Sequence, residues 1–172
     1  MPLIENGRRI EDRFVRVADD EALPEGVAVL VSADRLVTEG EALFTRGTPI
    51  GVVWPNNRRI EEIAPWLDRL ALVALVFPIF RDGRAYSQAR LLRERFGWRG
   101  PLRATGNVLR DQFLFLVRAG FDQFAVTKEA DVEAFNPEVH SHTVFYQPTG
   151  DGRPSLLRSR LGRVAGRREA AR

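Results

Sequence analysis

Six short apolar runs, at residues 27–32, 50–54, 72–77, 102–105, 121–126 and 143–146, recur along the chain with helix-like stretches between most of them. This rhythm is the strongest constraint on the fold. The run at 27–32, VAVLVS, and the run at 72–77, LVALVF, lack the apolar–polar alternation of a half-exposed strand, so both read as strands buried on two faces. Between strands, 58–70 places Ile60, Ile63, Leu67 and Leu70 at helical spacing, with Trp66 beside them and Pro65 as a kink or stop. Helices are expected at 87–96 and 108–119, each followed by a glycine, Gly97 or Gly120, in the position of a C-terminal cap. Ser87 and Asn107 are the expected N-caps. Strands alternating with helices of this length predict repeated βα units and a mainly parallel sheet of about five to six strands. A full eight-unit barrel needs about 250 residues, and the chain has 172. The expected α/β fold is therefore an open twisted sheet or a partial TIM-barrel-like sheet.

The flanks differ from this body. In residues 1–26, Asn6-Gly7 signals a tight hairpin turn, and the segment reads as an N-terminal adaptor. The α/β domain is expected over 27–148. From Asp151 onward seven arginines face Asp151 and Glu169, a net charge of +5, which leaves residues 1–150 at about −2. The region 149–172 is expected to be a basic, mobile tail that keeps the protein soluble, and nucleic acid is not its expected partner.

Several chemistries are excluded or left unsupported. There is no cysteine, so disulfides, thiol catalysis and cysteine-ligated clusters are absent. No apolar run reaches the ~20 residues of a membrane span, and the N-terminus lacks the pattern of a secretory signal, so a cytoplasmic protein is expected. His140 and His142 would share a strand face, but only Glu138 stands near as a third ligand, so no metal site is assigned. Asp131, Glu133 and Glu138 lack calcium-loop spacing. No glycine-rich nucleotide loop or serine-hydrolase elbow occurs, and no cofactor is assigned.

Two features remain. The stretch 77–97, FPIFRDGRAYSQARLLRERFG, runs from a strand end into a helix start, where backbone N–H groups favour an anion. A second strand–turn–helix junction follows at 103–108. Asp82, Arg84, Ser87, Arg90, Arg103 and Asn107 are the candidate ligand-binding residues, with a small anion as ligand. The alternative is a turn at Asp82-Gly83 and solvated arginines. In the strongly apolar segment 108–119, Arg110, Asp111 and Arg118 form a candidate polar seam toward a partner or an internal ion pair.

These same stretches resemble a bacterial family, domain of unknown function 934, encoded beside assimilatory sulfite reductase. The resemblance rests on Phe77-Pro78, Asp82-Gly83-Arg84, Ser87, 89–93, Gly97, 102–104, Gly106, 110–112, Arg118 and 120–122. Asn107 stands where relatives often carry aspartate, and Ala119 where they often carry cysteine. The resemblance implies a role in sulfite reduction and cysteine biosynthesis, with the sulfite reductase haemoprotein as partner. An accessory subunit docked to that haemoprotein is the first expectation. An α/β enzyme or module binding a small anion or a phosphate-bearing ligand is the second.

Overall fold

The computed structural model describes residues 1–142 together with Phe145, Tyr146, Thr149, Ser155 and Leu156. Eight strands form one sheet: β1 (Leu3–Glu5), β2 (Arg8–Ile10), β3 (Phe14–Arg16), β4 (Ala28–Ser32), β5 (Ile50–Trp54), β6 (Leu72–Phe77), β7 (Leu102–Gly106) and β8 (Gln123–Ala125). Their spatial order is β2-β1-β8-β7-β6-β5-β4-β3. Strands β3 to β8 are parallel and neighbour one another in chain order, while β1 joins β8 and β2 antiparallel. The sheet thus has more strands than the five or six expected. The addition comes from the N-terminal segment, whose three short strands belong to the same sheet.

This order forces curvature. β2 and β3 lie at opposite edges, yet Ile10 and Phe14 are only four residues apart. Four residues reach at most about 14 Å, whereas eight strands side by side would span about 34 Å if flat. The edges are therefore drawn toward each other and the sheet curls into a partial barrel.

The two faces carry different cores. Outward residues of the parallel strands, among them Val29, Val31, Val52, Trp54, Val73, Leu75, Phe77, Leu102 and Ala104, pack under the helices. Inward residues Leu30, Val53, Leu72 and Ala74 form a smaller cluster with Phe14 and Val76. Inside the curl, Arg103 is 4% exposed. It donates to Asp12 at 2.7 and 2.9 Å and to Gln123 at 3.0 Å, and Gln123 in turn donates to Glu5 at 2.8 Å. Asp12 sits on the linker between the edge strands, so this ion pair straps that linker to β7 across the opening.

Helices occupy the expected positions at 87–96 and 108–119, with shifted starts, and three others, two between β4 and β5 and one after β8, were not expected. In chain order the helices are α1 (Ala33–Glu39), α2 (Glu41–Phe44), α3 (Arg84–Arg90), α4 (Phe113–Ala119) and α5 (Ala130–Val139). Ser87 does not cap α3, which starts three residues earlier, where the Asp82 carboxylate accepts from Arg84 N at 3.2 Å. Past Arg90 the helix widens over Leu91–Arg95, with Phe96 N donating to Leu91 O, before Gly97 turns it at φ 66°. Asn107 does not cap α4. A tight turn, Arg110–Gln112, comes first, and Gly120 ends α4 in the left-handed region as expected. The segment Ile60–Arg69 forms tight three-residue turns around Pro65 while still burying Ile60, Ile63 and Leu67.

His140 and His142 follow α5 and lie on no strand. His140 Nδ1 donates to Asn136 O at 2.7 Å, and His142 Nδ1 lies 2.9 Å from Ser141 Oγ. Of the expected strand at 143–146, residues 143 and 144 lie outside the described residues, and Phe145 makes a single bridge with Ser155. Apart from Thr149, Ser155 and Leu156, the expected tail also lies outside them. Among the described residues no helix is long and apolar enough to cross a membrane.

Candidate functional site

The C-terminal ends of β3 to β8 gather at one rim, the usual ligand edge of a parallel sheet. Two clefts open there and share Val76. One, of about 660 Å³, includes Arg16, Asp19, Glu21, Ser32, Asp34 and Pro55. The other, of about 310 Å³, includes Pro78, Gly106, Asn107 and Thr127. Asp19, Glu21 and Asp34 outnumber Arg16 in the larger cleft, so it does not form a cationic pocket.

Three connections build the rim. After β5, the loop is held by Gln88 of α3, whose Nε2 donates to Pro55 O at 3.1 Å and Arg58 O at 2.9 Å. After β6, Arg84 forms a two-pronged contact with Asp82, Nε at 2.9 Å and Nη2 at 2.6 Å. These Arg84 hydrogen bonds hold the Asp82 carboxyl well below the usual carboxylate range, helped by the Arg84 backbone and the Asn56 amide. Asp82 is thus a fixed, neutralised anion and a poor general base. After β7, Gly106 stands at φ 93°, and a Cβ there would lie 2.4 Å from Phe77 O. Only glycine lets the two strand ends approach so closely, and Asn107 N then donates to Phe77 O at 2.7 Å.

Gln112 joins two of these loops. Its Nε2 donates to Phe80 O and its Oε1 accepts from Leu109 N, both at 3.1 Å. The result is an exposed apolar patch, with Ile79 and Phe80 each 52% and Leu109 38% exposed. Exposed Arg81, Arg84, Arg110 and Asp111 flank it in the same loops. Beside it, burial and then the Asp111 charge push the Tyr86 hydroxyl up to about 12, so it stays protonated at neutral pH.

The expected anion pocket is not assembled. Asp82, Arg84, exposed Ser87 and Asn107 belong to the rim region. Arg90 lies toward the far end of α3 and pairs with Glu94, and Arg103 is inside the barrel on Asp12. Strand alternation turns Arg103 inward, away from the helix side that carries Arg90. The expected seam is also divided. Arg110 and Asp111 are exposed in the turn before α4, while Arg118 near its other end stacks 3.8 Å above Phe145 and donates to Thr149 Oγ1. The turn at 110–112 breaks the helical register that would have aligned Asp111 with Arg118.

Other polar residues matter more than the sequence suggested. Asn56 and Gln88 are more than nine-tenths buried. Among the described residues, Trp54 Nε1, Asn56 Nδ2 and Gln88 Oε1 make no hydrogen bond of good geometry. Gln88 was detectable, since it shares the stripe Ala85, Gln88, Ala89 and Leu92, which is otherwise apolar. Arg93 is a clamp. It donates to Gly120 O, Trp98 O and Gly100 O and pairs with Asp122, which also accepts from Leu102 N. Among the described residues no group of three or more His, Asp or Glu side chains is placed to hold a metal.

No curated protein matches the chain. A family model does match, over residues 51–157, which takes in β5 to β8 and both loops of the apolar patch. The chain therefore belongs to DUF934, a family of bacterial proteins of unknown function.

Proposed function

We propose that this protein is a cytoplasmic accessory subunit of assimilatory sulfite reduction that docks to the sulfite reductase haemoprotein through the loops after β6 and β7. The observation that carries this reading is the patch of Ile79, Phe80 and Leu109, with exposed charges beside it. An apolar centre flanked by charged groups is the usual build of a partner surface. The motif residues that carry the sulfite-reductase resemblance support it by their division of labour. Arg93, Arg103, Gly106 and Asp122 have evident structural duties. Asp82 to Arg84 and Arg110 to Gln112 instead shape the exposed loops around the patch.

The test is binding of purified haemoprotein, measured by calorimetry, to the wild type, to Phe80→Asp/Leu109→Asp and to Val37→Asp, which alters an exposed valine outside the patch. The patch variant is expected to bind at least about tenfold more weakly, a loss of about 1.4 kcal/mol, with an unchanged melting temperature. Val37→Asp is expected to bind normally. A wild type that does not bind, or a patch variant that binds equally well, refutes the reading.

A further inference from the structure

We infer that a separate cleft at the C-terminal ends of α3 and α4 binds a small oxyanion of the phosphate or sulfate type. It has a volume of about 290 Å³ and is lined by Arg90, Arg93, Arg99 and Arg118, with Glu94 and Asp122 as its acidic members. The patch proposed for docking adjoins the N-terminal ends of these helices, so the two sites lie at opposite ends of the same helix pair.

The ordinary account of such arginines is that cations complement helix C-termini. That account covers Arg93, whose guanidinium caps the Gly120, Trp98 and Gly100 carbonyls and pairs with Asp122. In doing so it also offsets the negative field that would otherwise repel an anion here. It does not cover Arg99, which is exposed on the connection from the widened end of α3 to β7 and makes no hydrogen bond or ion pair among the described residues. Arg90 is only loosely held, with contacts to Glu94 of 3.2 and 3.4 Å between side chains that are both at least half exposed. Such a pair contributes little and exchanges readily for a better acceptor. The Arg118 guanidinium carbon stands 3.8 Å from the centroid of the Phe145 ring, and Nη2 donates to Thr149 Oγ1. Arg118 thus adds positive charge to the wall of the cleft, while Arg99 and Arg90 supply the N–H donors for the oxyanion. The cleft has room for such an anion with a small organic group attached.

Inorganic phosphate, sulfate and sulfite would be titrated separately at constant ionic strength, with chloride as the reference. Binding would be followed by calorimetry and melting temperature in the wild type, Arg99→Gln, Arg90→Gln and Arg59→Gln, the last an exposed arginine outside the cleft. At least one oxyanion is expected to saturate, with Arg99→Gln weakening it tenfold or more and Arg59→Gln leaving it within twofold. The arm that saturates at the lowest concentration identifies the oxyanion class. Equal stabilisation by chloride, an unchanged affinity in Arg99→Gln, or binding of an acidic polymer such as heparin without saturation by any inorganic anion overturns the assignment. Because Phe80→Asp/Leu109→Asp leaves this cleft intact, failure here is separable from failure of the docking surface.

Discussion

Asp12→Ala tests whether the strap across the barrel opening holds the curl together. The Arg103 guanidinium is nearly fully buried, and its charge is met by one carboxylate, Asp12, and one neutral acceptor, Gln123. Removing one member of a buried ion pair costs about 3–5 kcal/mol, mainly because the remaining charge is stranded. The Asp12 side chain is 42% exposed, so water can reach part of the space it leaves. The expected loss is therefore at or just below the low end of that range, about 2–3 kcal/mol. For a chain of this size that is a fall in melting temperature of about 5–10 °C. Denaturant and thermal unfolding, followed by circular dichroism, would measure it. If a stranded charge is the cause, Asp12→Ala/Arg103→Met is expected to be more stable than Asp12→Ala alone, because it removes the orphan. A loss below about 0.5 kcal/mol for Asp12→Ala, the range of an ordinary surface change, would refute the strap. A double variant weaker than the single would refute the stranded-charge explanation.

Three further outcomes are expected. Gly106→Ala places a methyl against Phe77 O at a positive φ, so unfolding experiments are expected to show a loss above about 2 kcal/mol. Arg93→Gln unclamps three carbonyls and Asp122, and the expected loss in denaturant unfolding is about 2–4 kcal/mol. The Asp82 carboxyl is held below its ordinary value of 3.8 by Arg84. Any stability it contributes is present above that value and disappears as pH falls toward its folded-state pKa. The difference in melting temperature between wild type and Asp82→Asn should therefore be constant above about pH 5 and shrink on acidification, while a carboxyl titration by NMR should show Asp82 ionised at pH 3.

The sequence made the interior strands legible because burial on both faces leaves near-continuous apolar runs. The expected spans at 50–54 and 72–77 coincide with β5 and β6. The hairpin was legible for a local reason, since Asn6 and Gly7 both adopt positive φ, at 50° and 71°. β3 was not legible. Its three residues, Phe14, Val15 and Arg16, carry no periodic signal, and their pairing with β4 is a long-range fact. The partners of the arginines were hidden for the same reason. Arg103 meets an aspartate 91 positions earlier, and Arg93 meets carbonyls from two different loops. Residue type located the charged positions, but topology decided which were sealed inside, which became clamps and which stayed exposed.

The pairing of β1 with β8 also has a consequence during synthesis. Leu3 to Glu5 leave the ribosome about 120 residues ahead of their partners, Gln123 to Ala125. At 5–20 residues per second the wait is roughly 6–24 s. A lone two-stranded hairpin is marginal in water, so for that interval β1 and β2 lack the strand that ties them to the sheet. The same dependence reaches experiments on fragments. A piece cut at residue 51 to follow the family boundary would begin inside β5 and lack β1 to β4, leaving Arg103 without Asp12 and one edge of β5 unpaired. Such a fragment is an unsuitable vehicle for mapping either proposed surface.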